Sequence, residues 1–351
     1  MYYQIIAFFM TGTGNSYKVA KWFLESADTA RSELYQIREN EPNIHIGNSD
    51  LLVLSYPTHG FTAPWLMMKH IFRLPKGNAV HAVVLPTRAG TRMFGWSLPG
   101  MEGTAGYLIA LLLWCRGYTV KGVVAIDMPS NWTAVHWGLS NENVQVISEN
   151  GEAKVKVIAH KILTGHSIYK GFIPLVIGIA LSRISLMYLI LAQLILSKFF
   201  FASNKCNGCR LCEKICPKQA ITMIGNKPYW KFSCDSCMAC MNYCPQTAIQ
   251  VSPFAIFLFS YILSLPVTTW LTNMIDVRII TGSQEIVAFV IQYLYTLSSI
   301  AFVYLMLHHF LRFKPIAALI TRLSHTRYFR RYQAQGVSLK DIHISQEDEN
   351  H

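Results

Sequence analysis

Residues 1–165 alternate between short apolar runs of strand length and longer mixed stretches of helical length. The apolar runs predict β-strands and the longer stretches predict α-helices. Because strands and helices follow one another in turn, the pattern predicts an α/β domain built on a doubly wound parallel sheet. The predicted strands lie at Tyr3–Phe9, Leu51–Ser55, Val80–Leu85 and Val120–Ile126, and the predicted helices run to about Leu24 and over Ala63–Phe72, Thr104–Arg116 and Asn143–Leu163.

Two later stretches, 253–275 and 286–307, contain no charged residue. Each has about the 20 residues that a helix needs to cross a bilayer core, so residues 253–311 are predicted to form a transmembrane helical hairpin. The alternative is a buried hairpin in a soluble protein. Basic residues after the second stretch, with no acid before Asp341, favour a cytoplasmic location for both ends of the hairpin. These residues are Arg312, Lys314, Arg322, Arg327, Arg330 and Arg331.

Composition supports a membrane-associated protein. Hydrophobic residues make up 52% of the chain and charged residues only 14%, whereas soluble domains average about 25% charged residues. The net charge of +12 comes from basic residues that are scattered or lie beside apolar stretches, and no nucleic-acid-binding motif is present. Anionic lipid or an acidic partner is therefore expected rather than nucleic acid.

Eight cysteines form two identical runs. Within each run the gaps are two, two and three residues, a proline follows the fourth cysteine, and the second run repeats the first 28 positions later. This spacing is typical of ligands to [4Fe–4S] clusters, whereas a zinc site usually pairs two Cys-x-x-Cys units. The predicted metal ligands are Cys206, Cys209, Cys212, Cys216, Cys234, Cys237, Cys240 and Cys244.

The two runs resemble those of bacterial two-cluster ferredoxins. In that family the fourth cysteine of each run binds the cluster of the other run. The resemblance implies one cluster on Cys206, Cys209, Cys212 and Cys244, and a second on Cys234, Cys237, Cys240 and Cys216. The ninth cysteine, Cys115, lies in an apolar helical run and is expected to be a buried, inert thiol.

A loop rich in Thr and Gly follows the first predicted strand and precedes the first predicted helix. A helix N-terminus with loop amides and hydroxyl groups is suited to binding a phosphate group. The loop matches neither the P-loop nor the G-x-G-x-x-G pattern, which disfavours nucleoside triphosphates and dinucleotides. The candidate phosphate-binding residues are Thr11, Gly12, Thr13, Gly14, Asn15 and Ser16.

This loop, which contains no lysine, resembles the flavodoxin loop that binds the phosphate of FMN. By that resemblance, loops 56–60 and 86–92 are expected to flank the isoalloxazine ring, with Tyr56 or His59 stacking on it. The alternative is a flavodoxin-like sheet without a flavin, in which the loop is only a tight turn. The residues so implied are Tyr56, Pro57, Thr58, His59, Gly60, Thr87, Arg88, Ala89 and Gly90.

The combination of the two parts resembles the bacterial and archaeal flavodoxin–ferredoxin fusion family over about 1–165 and 203–252. The segment Asp127–Trp132 also looks like that family, whereas the hydrophobic last third departs from it. The resemblance implies FMN and two [4Fe–4S] clusters as cofactors. The segments expected are a flavodoxin-like domain (1–165), an apolar connector (166–201), a small α+β ferredoxin domain (202–252), the transmembrane hairpin (253–311) and a basic, then acidic tail (312–351).

The connector stretch 171–197 is interrupted by Arg183. A single crossing here would place the two redox domains on opposite sides of the membrane. We therefore expect a helix that lies in the interface or packs on the hairpin, with Lys170, Arg183 and Lys198 reaching lipid headgroups. The alternative is one long buried connector helix.

The expected function is electron transfer at the cytoplasmic membrane, with both redox domains facing the cytoplasm. The expected partners are membrane lipid, a membrane redox enzyme or quinone, and a soluble electron donor. No set of catalytic side chains stands out, so the chemistry is assigned to the cofactors. A quinone or lipid-substrate reductase and an iron–sulfur redox sensor are the alternatives.

Overall fold

The structure is a computed structural model that describes residues 2–27, 31–39, 44–134, 137–262 and 284–342. The N-terminal module, residues 2–169, is built on one mainly parallel sheet. Its main strands are β1 (Gln4–Phe9), β2 (Arg31–Gln36), β3 (Leu51–Pro57), β4 (His81–Met93), β6 (Thr119–Val123) and β8 (Ile168–Tyr169), and the two accessory strands are β5 (Trp96–Leu98) and β7 (Ile126–Pro129).

The main strands are arranged in the order β2-β1-β3-β4-β6-β8, and every neighbouring pair is parallel. Apart from the short last strand, this is the doubly wound order of flavodoxin-like folds. Helices α1 (Asn15–Glu25) and α4 (Asn141–Leu163) cover one face, and α2 (Trp65–Arg73) and α3 (Ala105–Cys115) cover the other. The predicted parallel α/β sheet is therefore confirmed.

Three parts of this sheet differ from the sequence-based prediction. Residues 86–92, expected to form a loop, continue strand β4 because Thr87–Gly90 pair with β7. The strand predicted over Val120–Ile126 is instead split between β6 and β7. Strand β2 was not predicted because its sequence, RSELYQ, is polar, which suits an edge strand with partly exposed side chains.

The cysteine-rich module contains two strand pairs and two short helices. Strand β9 (Phe200–Ala202) pairs with β12 (Ile249–Val251), and β10 (Ile221–Ile224) pairs with β11 (Lys227–Trp230). The helices are α7 (Leu211–Lys214) and α8 (Ala239–Asn242). The module thus begins at residue 200, two residues before the predicted boundary.

The backbone of the cysteine-rich module repeats with the sequence duplication. Arg210 and Met238, 28 positions apart, both precede a short helix with left-handed φ values of 61° and 64°. The thiols of Cys216 and Cys244 each accept a hydrogen bond from the amide four residues later, at 3.3 Å in both cases. The two runs therefore close in the same conformation.

The apolar segments form several helices. The connector contains α5 (Phe172–Ala180) and α6 (Ser182–Leu194), and later helices are α9 (Pro253–Ile262), α10 (Gln284–Phe310), α11 (Lys314–Leu323) and α12 (Leu339–Ile342). In the described part of the chain, no individual helix has both the length and the hydropathy to cross a membrane. Two pairs of consecutive helices have the necessary length and hydropathy when each pair is taken together. They are α5 with α6, bent by 73°, and Tyr293–Phe310 with α11, bent by 114°.

Residues 263–283 of the predicted hairpin, which include most of its first span, lie outside the described residues. On the described part of α10, one face packs against the cysteine-rich module through Ile300, Tyr304 and Leu307. The opposite face exposes large apolar side chains, among them Phe302 and Leu305. A transmembrane hairpin is therefore not confirmed.

The connector also differs from the sequence-based expectation. Helices α5 and α6 expose most of their apolar side chains, so one long buried helix does not describe this segment. Lys170 and Arg183 are exposed, but Lys198 is completely buried and does not reach outward to headgroups. Cys115, expected to be buried, is exposed because it lies on the outer face of α3 beside Trp114.

Residues 330–342, here called the C-terminal strap, were expected to belong to a tail. They instead contact both modules. The Ala334 amide donates to Thr13 O at 2.8 Å, and Arg331 Nη2 donates to Ile249 O at 2.9 Å. The Tyr332 amide donates to Asn242 Oδ1 at 2.8 Å. Arg330 and Arg331, counted above as a topological signal, thus also have contacts within the protein. The acidic end, 343–351, lies outside the described residues.

Candidate functional site

A cavity of about 390 Å³ lies where the carboxyl-terminal edge of the sheet meets the cysteine-rich module. The sheet supplies most of its wall, helix α6 supplies Ile184 and Tyr188, and residues 236–238 of the second cysteine run close it. Ligand sites in open α/β sheets lie at this edge, and pockets for small molecules commonly measure about 300–1,000 Å³. The remaining lining residues are Gly12, Asn15, 57–61, 87–89, Met101 and 129–132.

The loop 11–16 lies at one end of this cavity, at the N-terminus of α1. Among the described residues, the backbone amides of Gly12, Thr13, Asn15 and Ser16 have no hydrogen-bond acceptor. Four unpaired amides at a helix N-terminus are suited to an anionic group such as a phosphate. The loop is buried, and it reaches the cavity through Gly12 and Asn15.

The hydroxyl groups of this loop, expected to bind phosphate, have protein partners instead. Thr11 Oγ1 accepts from the Gly14 amide at 2.9 Å, and Thr13 Oγ1 accepts from Asn131 Nδ2 at 2.6 Å. Ser16 Oγ lies 3.1 Å from Thr87 Oγ1. The side chains therefore hold the loop in shape, and the backbone amides are its free donors.

Most of the residues implied for the flavin ring do line the cavity. Tyr56 does not, because it is completely buried and its hydroxyl donates to Ala105 O at 2.8 Å. It is therefore not available to stack on a ligand. Gly90 lies on a separate cavity of about 150 Å³. The predicted residues that line the main cavity are Pro57, Thr58, His59, Gly60, Thr87, Arg88 and Ala89.

Sequence reasoning missed one aromatic side chain of the cavity wall, Tyr188. Tyr188 lies between His59 and Trp132, with ring centroids 6.5 and 6.2 Å from theirs. Trp132 belongs to the segment already singled out by the family resemblance. Tyr188 gave no signal, because it lies in an apolar helix that was assigned to lipid.

The charged and titratable groups in the wall leave the cavity close to neutral. Arg88 pairs with Asp127 through two hydrogen bonds of 2.8 and 2.9 Å and with Glu102 at 2.5 Å. Lys154 Nζ lies 3.8 Å from Asp127, so two cations face these two carboxylates. Burial lowers the pKa of His59, although Asp235 opposes this effect, and burial raises the pKa of Tyr188 to about 12. His59 and Tyr188 are thus both neutral at pH 7, which suits an uncharged aromatic ring.

Gly12 brings the two modules into contact. A Cβ atom at this position would lie 2.1 Å from the Cys237 carbonyl oxygen, a distance that no side chain can accept. The absence of a side chain therefore permits a close approach between the candidate phosphate loop and the second cysteine run. The sequence-based expectation that Gly12 serves only the phosphate is incomplete.

The eight cysteines fall into two groups that cross between the runs. Cys206, Cys209, Cys212 and Cys244 line one small cavity, and we call them the exposed cysteine group because Cys209 is exposed. Burial raises the pKa of the Cys237 thiol, and the largest charge effect on it comes from Cys216 of the other run. Cys216, Cys234, Cys237 and Cys240 form the buried cysteine group.

The chemistry of each cysteine group suits a cationic metal cluster. Burial and then neighbouring thiolates raise the pKa of Cys212, with Cys206 and Cys244 as the main neighbours. Crowded thiolates become stable only when metal neutralises their charge. In the part of the chain that the structure describes, no three His, Cys, Asp or Glu side chains lie close enough to hold a single metal ion.

The cavity at the sheet edge also suits FMN. Besides the unpaired amides, Thr58 lines the cavity and its buried hydroxyl has no hydrogen-bond partner among the described residues. The wall combines aromatic side chains with few free charges, as a flavin ring requires. Residues Gly12 and Asn15 would hold the phosphate end, and His59, Trp132 and Tyr188 would flank the ring.

Comparison with known proteins identifies the cysteine-rich module. Residues 205–249 match the family model described as a 4Fe–4S dicluster domain. No curated protein matches the chain. Solved structures that resemble it include an archaeal flavodoxin (16% identity, TM-score 0.30), oxidised flavodoxin 1 from Bacillus cereus (14%, 0.32) and an azoreductase from Bacillus anthracis (12%, 0.31). They cover 44%, 47% and 45% of this chain, and the alignment covers 99% of each of them.

The family match accounts for the cysteine runs, and the strand order of the N-terminal module gives the flavodoxin-like sheet independently. Together, an iron–sulfur domain and a flavodoxin-like fold indicate a role in electron transfer or as an oxidoreductase.

Proposed function

We propose that the chain is an electron-transfer flavoprotein in which FMN binds in the sheet-edge cavity and exchanges electrons with two [4Fe–4S] clusters. The observation that carries this proposal is the position of the cavity. One of its walls is the loop 236–238, which includes a predicted cluster ligand, Cys237. A ligand in the cavity would thus contact the segment that binds a cluster.

The residues around the cavity have complementary roles in this proposal. The free amides of loop 11–16 bind the phosphate, and the aromatic side chains of Trp132 and Tyr188 orient the ring. Arg88 and Lys154 together pair with Asp127 and Glu102, which fixes the wall and keeps its charge balanced. FMN, when bound, supplies two-electron chemistry that can be linked to the one-electron chemistry of clusters.

The position of the cysteine groups favours an order of transfer. The buried cysteine group adjoins the cavity through Cys237, whereas the exposed cysteine group includes the exposed Cys209. Electrons would therefore move between FMN and the buried cluster, and the exposed cluster would meet the external partner.

The test begins with anaerobically purified protein reconstituted with iron, sulfide and FMN. We expect about eight iron atoms and about one FMN per chain, which follows from two [4Fe–4S] clusters and one cavity. The variant Ala89→Trp, which fills the cavity, should weaken FMN binding at least about tenfold while iron content is retained. Thr91→Trp is the matched control, because Thr91 lies two residues further along β4 on the neighbouring cavity.

Two results would overturn the proposal. One is wild-type protein that holds its full iron content but takes up no added FMN. The other is equal FMN binding by wild type and Ala89→Trp, because the flavin would then lie elsewhere.

We also propose that the protein acts at the cytoplasmic face of a membrane, with a membrane redox enzyme or a quinone as its partner. Apolar side chains are exposed on α5, α6, α9 and the outer face of α10, which is unusual for a protein surrounded by water. Single cysteines introduced near Asn150, Asn226, Gln335 and residue 283 test the topology in intact cells. An impermeant thiol reagent should reach only the site at 283, and labelling near Asn226 but not near Asn150 would exclude a common compartment.

A further inference from the structure

Lys198 is a completely buried lysine in the described structure. It follows α6 in a short 3-10 helix, Leu196–Phe199, directly before the cysteine-rich module. Its ammonium group donates to Trp230 O. A buried ammonium group is expensive unless hydrogen bonds and an opposite charge compensate for the lost water.

Three aromatic rings surround this ammonium group. Lys198 Nζ lies 4.0 Å from the ring centroid of Phe232, 4.6 Å from that of Tyr304 and 5.6 Å from that of Tyr229. Rings within about 6 Å stabilise a cation through their negative faces. The aromatic site therefore favours a charged lysine.

The rings of Tyr229, Phe232 and Tyr304 form a cage around the ammonium group, and none of them carries a full negative charge. Among the described residues, no carboxylate lies within ion-pair distance of Lys198, although other buried cations have one: Lys218 pairs with Glu39 and Asp235. The Phe232 ring, 4.0 Å from Lys198 Nζ, lies two residues before Cys234, and Trp230 belongs to the same buried cluster as Cys216, Cys234 and Cys240. The ammonium group therefore lies beside the predicted cluster ligands. Burial lowers the pKa of Lys198 to about 8, and Cys234 opposes this effect. Cys234 belongs to the buried cysteine group.

We infer that Lys198 is a positioning residue whose buried positive charge serves as the counter-charge of the cluster on the buried cysteine group and raises that cluster's reduction potential. Reduction of a cluster adds one electron and therefore one negative charge. A cation nearby in a medium of low dielectric stabilises the reduced form more than the oxidised form. Without it, burial alone would disfavour the additional charge.

This inference rests on the proposed function, because it requires a cluster on the buried cysteine group. In this inference, Lys198 contacts no substrate and acts on the cluster only through its charge. It makes the surroundings of the two clusters unequal, because Lys198 lies beside the buried cysteine group.

The experiment is a redox titration of the reconstituted full-length protein, followed by EPR. Lys198→Met removes both the charge and the hydrogen bond to Trp230, whereas Lys198→Gln removes the charge and keeps a donor. Lys231→Met is the control, because Lys231 is an exposed lysine of the same module that donates to Gln219 O. The signal of the buried cluster is identified as the one that Cys216→Ser removes.

We expect both Lys198 variants to lower the equilibrium constant for reduction of the buried cluster about tenfold or more. For one electron, this corresponds to a midpoint potential about 59 mV more negative. The other cluster and the Lys231→Met protein should keep the wild-type midpoint. An unchanged midpoint in Lys198→Gln, or equal shifts of both clusters, would overturn the inference. Loss of the buried cluster from both variants would also overturn it, because Lys198 would then be needed for folding. Wild-type protein without cluster signals would instead overturn the proposed function.

Discussion

The hydroxyl group of Tyr332 ties the C-terminal strap to the candidate phosphate loop, and its removal gives a sharp test of that contact. In the variant Tyr332→Phe, the aromatic ring stays and only the hydroxyl is lost. In the wild-type protein this hydroxyl donates to Asn15 Oδ1 at 2.6 Å, and both side chains are buried. The side-chain nitrogen of Asn15, Nδ2, donates to a separate acceptor, Pro129 O, at 2.9 Å.

The size of the effect follows from what the variant leaves behind. Asn15 Oδ1 would remain buried without a donor, and an unpaired buried polar atom costs about 1–3 kcal/mol. A local loss of about 1–2 kcal/mol corresponds to a roughly 5–30-fold change in the ratio of closed to open strap. We expect the overall fold to persist, since the other contacts of the strap are unchanged.

Hydrogen exchange at the Ala334 amide measures this opening directly. That amide donates to Thr13 O at 2.8 Å, so its hydrogen exchanges only when the strap leaves the loop. We expect exchange to become about 5–30-fold faster in Tyr332→Phe. Tyr243→Phe is the matched control, because the buried Tyr243 hydroxyl has no hydrogen-bond partner among the described residues.

The control should keep the exchange rate of Ala334 within about twofold of wild type, since no hydrogen bond is lost. If Tyr332→Phe exchanges at the wild-type rate, the contact with Asn15 contributes nothing to closing the strap. If the two variants accelerate exchange equally, the effect belongs to the ring packing around both tyrosines. Either result would refute the reasoning.

Two further predictions concern the cysteine runs. Cys216→Ser should remove the cluster of the second run and Cys244→Ser that of the first, each leaving about four of eight irons, as EPR and iron analysis would show; loss of the cluster of the mutated run itself would exclude crossed ligation. Gly12→Ala should lower iron and FMN content together, because the new methyl group meets Cys237 O; loss of FMN with full iron content would show that the loop acts on the phosphate alone.

Much of the fold could be predicted from local sequence signals. Strand β3 follows from a short apolar run and helix α4 from a longer mixed stretch. The spacing of the two cysteine runs identifies their module. Strand β2 could not be found in this way, because an edge strand needs no continuous apolar run. The extension of β4 past Leu85 depends on pairing with β7, which no local pattern reveals.

The candidate site was predictable only where its residues lie in loops after strands. Thr58 and His59 belong to that class, and both line the cavity. Arg88 also lines it, although it lies within strand β4 and not in the predicted loop. The prediction for Tyr56 was wrong because the alternation of side chains along the strand places this one in the core, where its hydroxyl donates a hydrogen bond to Ala105 O. Tyr188 was missed for a different reason. An apolar helix has the same sequence pattern whether it faces lipid or a cofactor cavity.

The same ambiguity applies to the basic residues after α10. Counted along the sequence, they favour a cytoplasmic end of a membrane hairpin. In the structure, Arg331 donates to the backbone of Ile249, and the strap that carries it reaches the phosphate loop through Tyr332. Some of these basic residues therefore make contacts within the protein, so their number alone overstates the signal for membrane topology.

The strap and Lys198 together show how the modules depend on each other. The strap joins loop 11–16 to Asn242, which lies between the last two ligands of the second run. The aromatic rings around Lys198 include Tyr304 of α10, whose hydroxyl accepts from the Trp230 amide at 2.9 Å. The buried cysteine group is therefore held between the flavodoxin-like sheet and the long apolar helix. A shift of either neighbour would change the distance from the cavity to the buried cysteine group, so we expect the C-terminal third to influence the proposed electron transfer.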